Sequence, residues 1–229
     1  MREIVFDTET TGLNPAGGDR IVEIGCVEIY NRVETGRHFH AYFNPEREMP
    51  SEAEAVHGLT TIFLSDKPCF SEKADELVEF LEDSPLVAHN AGFDFGFLNF
   101  ELERCGKSCV SMSRMVDTLT LARSKHPGAK HSLDALCVRF GIDRSQRIKH
   151  GALLDAQLLA QVYVELTGGR QIGLGLVADT QSLPVGRAGG AVTIREPRPP
   201  RPHAPAEEEL ERHRAFITQL VNPLWARFA

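Results

Sequence analysis

The chain has 229 residues, a formal net charge of −7 at neutral pH and five cysteines. That length accommodates one domain of ordinary size plus an appendage, and an apolar fraction of 42% is enough for a real core. The acidic balance excludes a protein that grips nucleic acid by bulk charge. No apolar run approaches the roughly 20 residues that span a bilayer, and carboxylates interrupt the N-terminus too early for a signal peptide, so a soluble, cytoplasmic chain with no membrane partner is expected.

Residues 2–8 alternate, with Ile4 and Phe6 on one face and Val5 and Asp7 on the other, which predicts a strand. A turn follows over Gly12 to Asp19, and residues 20–30 and 37–43 read as two antiparallel strands. Ser51 to Ala55 opens a short helix, and residues 71–82 give an amphipathic helix with Ser71 as its cap. A short buried strand over 85–89 runs into a helix from Phe93 to Cys105, and residues 117–124, 131–140 and 151–166 carry further helical periodicity. The alternation predicts an α/β fold with a mixed central sheet flanked by helices.

The pattern ends at Thr167-Gly168-Gly169. Residues 178–206 are rich in Pro, Gly, Ala and Arg, with few apolar side chains to offset ordering entropy, and read as a flexible linker. Helical periodicity then returns, with Leu210, Ile217 and Leu224 at heptad spacing and Leu220 and Val221 alongside, until Asn222-Pro223 ends it. Cys26, Cys69, Cys105, Cys109 and Cys137 are odd in number and scattered, which argues for core filling rather than a disulfide framework. Cys105 and Cys109 lack the further pair that zinc needs.

Asp7 and Glu9 share one side of a strand. Side by side they repel each other unless a cation sits between them, and Mg²⁺ favours carboxylate oxygens; a solvated strand edge fits them equally well. Asp94 falls in the first turn of its helix, where the helix dipole alone would favour it. Asp155 faces inward beside Leu158 and Leu159, which is costly without a partner, and His150 stands just before its helix. Together they are four acids and a histidine, each where an α/β element ends. Such a set suits phosphodiester hydrolysis with two ions about 3.5–4 Å apart clamping the attacking and leaving oxygens, and a histidine that accepts a proton near neutral pH.

The stretches FDTETTGL, HNAGFDFGFL and HGALLDA resemble, in order, the three motifs of the DEDDh 3′→5′ exonucleases. From about residue 2 to 176 the chain is also similar to the proofreading epsilon-subunit family of bacterial DNA polymerase III, through RIVEIGCVEIYNR, SEAEAVHGLT, FLSDKP and KHSLDALCVRFGID. The resemblance implies a ribonuclease H-like exonuclease domain over 1–170. It implies that Asp7, Glu9 and Asp155 hold two divalent ions, Mg²⁺ or Mn²⁺, with Asp94 completing the site and His150 as general base. Glu52 and His57 match positions that touch the terminal nucleotide at a DNA 3′ end; read alone they are a helix-start carboxylate and a solvated histidine. Thr8, Thr10 and Leu13 would line the path of the terminal base and sugar.

Beyond residue 170, Gln171, Leu174 and Leu176 in the peptide 171–176 resemble the family's sliding-clamp plug, with a leucine where an aromatic residue is common. Residues 177–205 would be the linker, and the tail 206–229, with Trp225, would bind the polymerase III alpha subunit. A small third core subunit accompanies the family in some bacteria. The motifs treat the phosphodiester rather than the sugar, so an RNA-acting enzyme of the class stays open, as does a scaffold bridging polymerase and clamp.

Overall fold

Nine residues, Arg2–Thr10, form β1, the central strand of a five-stranded sheet in the order β3-β2-β1-β4-β5. A computed structural model describes residues 1–147, 149–169 and 205–220 of the chain, which divides into two units, Met1–Leu176 and Val177–Ala229. β2 (Ile21–Tyr30) lies antiparallel to β1, and β3 (Val33–Tyr42) antiparallel to β2. β4 (Leu86–Ala88) and β5 (Met115–Asp117) extend the other side of β1 in parallel. The helices are α1 (Ser51–His57), α2 (Thr61–Leu64), α3 (Phe70–Leu81), α4 (Gly92–Arg104), α5 (Thr118–Lys125), α6 (Leu133–Phe140) and α7 (Ala152–Leu166). The mixed sheet flanked by helices is the fold class expected.

The alternation of β1 divides its side chains between two cores. Ile4 and Phe6 join Leu77 and Leu81 of α3 and Phe95, Leu98 and Leu102 of α4, with the Phe6 and Phe95 rings edge to face at 5.7 Å. Val5 points the other way, against Ala156, Leu159, Ala160 and Tyr163 of α7. A third cluster ties α5 and α6 to α7 through Ala122, Leu136, Leu158 and Val162. Each fully buried Leu, Ile or Phe contributes about 1.5–3 kcal/mol, so the two layers clamp β1 firmly from both sides.

Two devices set the spacing of these layers. Gly25 of β2 lies opposite Asp7, and a Cβ there would overlap the backbone of Ala152 and Leu153 at the start of α7. Its bare backbone lets α7 begin directly over the sheet. On the opposite face Arg20 grips Glu101 of α4 with two bonds, Nε to Oε1 at 2.6 Å and Nη2 to Oε2 at 2.9 Å, and Glu101 is 1% exposed.

Some boundaries differ from expectation. α3 is capped by Cys69, whose N–H donates to Glu72 Oε1 at 2.7 Å, so Ser71 lies inside the helix. β3 begins at Val33, where its alternation is masked because Val33 to His38 are all exposed. β5 and α2 are three and four residues long, too short to show a period. All five cysteines are free, and Cys109 is exposed rather than part of the core. In the second unit α8 spans Glu207–Ile217 and ends before Asn222. Its Phe216 is exposed and its Leu210 and Ile217 are partly so. Gln171, Leu174, Leu176 and Trp225 lie outside the described residues, as does most of the expected linker.

Candidate active site

The C-terminal half of β1 delivers Asp7 and Glu9 to the α7 face, by the same period of two that buries Val5 there. Glu9 is opposite Glu23 of β2. The close approach at Gly25 brings the first turn of α7 over this pair, and Asp155, in that turn, is 3% exposed. Asp94 comes from the other helical layer. Its Oδ1 accepts from the Thr8 N–H at 3.1 Å and from Thr8 Oγ1 at 2.7 Å, so Thr8 moors the first turn of α4 to β1.

The turn before α4 is held in its own way. Asn90 takes the left-handed conformation, φ 64°, that asparagine tolerates best among residues with a side chain. The N–H groups of Asn90 and Ala91 donate to Asp117 Oδ1 at 3.0 and 3.3 Å. Asp117 also caps α5 through the Leu119 N–H at 3.0 Å. The sequence stretch HNAGFD thus places a carboxylate by a strained asparagine, a cap and a threonine hook.

A cavity of about 300 Å³ is lined by Asp7, Glu9, His89, Asp134, Arg147, His150 and Asp155. Donor atoms of Glu9, His150 and Asp155 lie within 4.8 Å of one another. The electrostatics record crowded negative charge. Burial, followed by Asp94 and Glu9, holds Asp7 well above the usual carboxylate range. Burial, then Glu23, Asp155 and Asp94, push Glu9 up to about 8, and Arg147 pulls the other way. Burial raises Asp94 to about 7 against its bonds from Thr8. Acids raised by burial and then by one another, with a single guanidinium among them, leave the cleft short of positive charge, and a set of carboxylates plus one imidazole suits a hard divalent cation.

Among the described residues, Asp155 alone of these acids has a cation bonded to it. Arg147 binds it through Nε to Oδ1 at 2.6 Å and Nη2 to Oδ2 at 2.7 Å. The same guanidinium reaches His150 Nδ1 at 2.7 Å and Asp134 at 3.0 Å. His150 Nδ1 stands 3.1 Å from Asp155 Oδ2, while the residue itself is exposed.

A second cavity of about 530 Å³ shares Thr8 and Glu9 with the first and is lined also by Thr10, Leu13, Glu52, His57 and Phe93. His57 is 6% exposed; its Nδ1 accepts from the Leu59 N–H at 3.0 Å. Its Nε2 is buried with no partner, the Thr10 backbone being near but outside bonding geometry. Burial holds its pKa below the usual histidine value. A buried neutral imidazole with one free nitrogen costs free energy unless a ligand meets it.

The structure therefore brings Asp7, Glu9, Asp94, His150 and Asp155 to one cleft, and Glu52 and His57 to its neighbour with Thr8, Thr10 and Leu13. Four residues of the site were missed from sequence. Glu23, 3% exposed and 2.7 Å from His40, had a signal, being an acid inside an apolar strand. His89 directly precedes the turn to α4. Arg147 and Lys149, the latter near enough to His57 for its charge to act on the ring, lie in an irregular segment without periodicity, where sequence carries no sign of direction.

Comparison with known proteins accords with this geometry. Residues 4–163 match the exonuclease family model RNase_T. The chain is 48% identical to the DNA polymerase III subunit epsilon of Rickettsia felis, over 97% of this chain and 98% of that one. It is 43% identical to the protein of that name from Escherichia coli, over 94% and 92%. Among solved structures, exonuclease X in complex with 5′ overhanging duplex DNA superposes with a TM-score of 0.56 at 26% identity, covering 72% of this chain and 90% of that chain. The nuclease domain of 3′hExo, a DEDDh family member bound to rAMP, superposes with a TM-score of 0.63 at 17% identity, over 72% and 91%.

Proposed function

The chain belongs to the exonuclease family of DNA polymerase III epsilon subunits, and we propose from that premise that Asp7, Glu9, Asp94 and Asp155 hold two divalent ions while His150 serves as general base. As a member it is a metal-dependent 3′→5′ proofreading exonuclease. The observation that carries the assignment of residues is the cleft itself, with its mutually raised acids beside a pocket containing an unpartnered imidazole. The physiological ions would be Mg²⁺ or Mn²⁺, for which carboxylate oxygens are the natural donors.

The 3′-terminal nucleoside enters the pocket of Thr8, Thr10, Leu13, Glu52 and His57. His57 Nε2 there meets a polar atom of the nucleotide, and Glu52 at the exposed rim approaches the sugar. That places the last phosphodiester beside Asp7 and Glu9. The divalent ions, when bound, supply positive charge to the phosphoryl oxygens and to the attacking and leaving oxygens. His150, exposed at the mouth, takes a proton from the attacking water. Arg147 Nη2 at 2.7 Å and Asp155 Oδ2 at 3.1 Å hold the ring at its Nδ1 edge, and the carboxylate favours the imidazolium. The 3′ oxygen departs from the phosphorus and a nucleoside 5′-monophosphate is released. Base identity plays little part; an unpaired end enters at lower unstacking cost, and so a mismatch is removed sooner.

Outside the catalytic unit, the tail 206–229 docks on the polymerase alpha subunit. The exposed Phe216 and Leu220 of its described part support this, because an apolar face on so short a helix needs a partner. The peptide 171–176, through Gln171, Leu174 and Leu176, contacts the sliding clamp, with 177–205 as tether. A cytoplasmic location follows from those partners, and no helix among the described residues is long and apolar enough to cross a membrane.

The test is product analysis on matched deoxy and ribo oligonucleotides, paired and unpaired at the 3′ end. Nucleoside 5′-monophosphates released fastest from the unpaired deoxy strand are expected. Equal rates on paired and unpaired ends contradict the fraying account, and preference for the ribo strand contradicts a replicative substrate. For the tail, Leu220→Ala with Trp225→Ala should weaken polymerase binding, and unchanged affinity contradicts that assignment.

A further inference from the structure

The chain is acidic overall, yet its charge is unevenly spread. Between residues 123 and 149 the acids are Asp134 and Asp143 alone. Asp134 is engaged by Arg144 at 2.8 Å and Arg147 at 3.0 Å. Arg123, Lys125, Lys130, Arg139 and Lys149 are exposed and make no ion pair or hydrogen bond among the described residues. Like charges left unpaired on one segment repel one another, and in an acidic chain they mark a surface suited to an anion.

Two of these cations, Lys130 and Arg139, line a groove that adjoins the catalytic cleft. The groove, of about 750 Å³, is lined by Lys130, Arg139 and Arg144 together with Ala129, Ala135 and Val138. Ser132 and Asp134 form a wall common to this groove and the cleft of Asp7, Glu9 and Asp155. Thr8 and Glu9 form a wall common to that cleft and the pocket of Glu52 and His57. The three cavities therefore run in series, with the acid cleft in the middle. Farther along the rim, Lys149 packs against Gly58, next to His57, where a Cβ on the glycine would meet its ammonium.

We infer that the groove, through its unpaired Lys130 and Arg139, seats the phosphates of the substrate strand on the 5′ side of the scissile bond. This rests on the proposed function. A strand with its terminal nucleoside in the His57 pocket and its last phosphodiester in the acid cleft finds the basic groove next in the series. No aromatic side chain lines the groove, so bases do not stack there and the grip is on the backbone. Ala129, Ala135 and Val138 offer no base-specific donor either. The surface thus holds a strand of any sequence, as an editing enzyme requires, and supplies the cationic contact that the overall charge seemed to deny. A protein partner on this face would block the exit of the strand.

The experiment uses the full chain and the Lys130→Ala/Arg139→Ala double variant. Binding of a fluorescent single-stranded oligodeoxynucleotide is followed by anisotropy in chelator across a salt series, and hydrolysis of the oligonucleotide and of a deoxydinucleotide is followed with Mg²⁺. Roughly tenfold weaker oligonucleotide binding is expected, with the slope of log K on log salt reduced by about 1.4 for two lost phosphate contacts. KM for the oligonucleotide should rise in proportion, with kcat and dinucleotide hydrolysis kept. Unchanged binding and slope overturn the inference. An equal loss on dinucleotide and oligonucleotide also overturns it, as does loss of polymerase affinity with DNA binding intact. If the native chain cleaves neither substrate, the proposed function fails while the salt series still decides whether the groove holds a strand.

Discussion

Glu101 and Glu9 are both buried acids, at 1% and 8% exposure, and their surroundings differ in one respect. Glu101 has its cation built in, since Arg20 meets it with two short bonds. Glu9 has no such bond among the described residues; burial first, then Glu23, Asp155 and Asp94, drive its pKa up to about 8 against the pull of Arg147. A buried carboxylate that the chain itself neutralises serves as a strut. A group such as Asp7, Glu9 and Asp94, none of which has a cation of the described residues bonded to it, is completed from outside, and the family to which this chain belongs completes it with divalent metal.

The contrast can be broken in several ways. The largest effect is expected on turnover: His150→Ala should lower kcat by about 10²–10⁴-fold with little change in thermal stability, because the side chain is exposed. Retention of more than a tenth of the activity in a steady-state assay would remove it as the base. Glu101→Gln should cost about 3–5 kcal/mol in denaturant unfolding, since it strands a buried guanidinium; a loss below about 1 kcal/mol would show that the strut behaves like a surface pair. Glu9→Gln should act in the opposite direction, raising the melting temperature of the chelator-treated chain by relieving repulsion while abolishing activity. A lower melting temperature there would mean that the acids of the cleft are already compensated.

The contrast also sets a pH dependence. Glu9, ordinarily at 4.5, is raised to about 8 and Asp94, ordinarily at 3.8, to about 7. The metal-free folded chain therefore holds protons that the unfolded chain has released, and its stability falls as pH rises from about 4 to 8. Below that window both states are protonated and the penalty vanishes. Added Mg²⁺ should recover stability most at the upper end. Melting curves that are flat over this range in chelator would contradict the raised values.

Much of this was legible in the sequence because it rests on short-range rules. The alternation of Ile4 to Asp7 fixed which side of β1 carries the acids, and the apolar period of α7 turned Asp155 inward. The position of Asp94 near a helix start was readable, while its hook to Thr8 depends on a contact between residues 86 apart. Arg147 could not be foreseen: it sits in an irregular segment, and nothing local aims it at Asp155. Gly25 likewise reads as an interruption of a strand until the approach of α7 shows what its missing side chain permits. The Ser71 cap failed because Cys69 and Glu72 close the turn two residues earlier.

The most direct test is nucleotide release from a 3′-labelled, mismatched DNA primer in Mg²⁺, in Mn²⁺ and in chelator, beside an Asp7→Ala/Glu9→Ala double variant. Nucleoside 5′-monophosphate release is expected with either metal, and none with chelator or with the variant. Release that persists in chelator or in the variant would contradict the claim that the uncompensated acids of β1 hold the metal that drives hydrolysis.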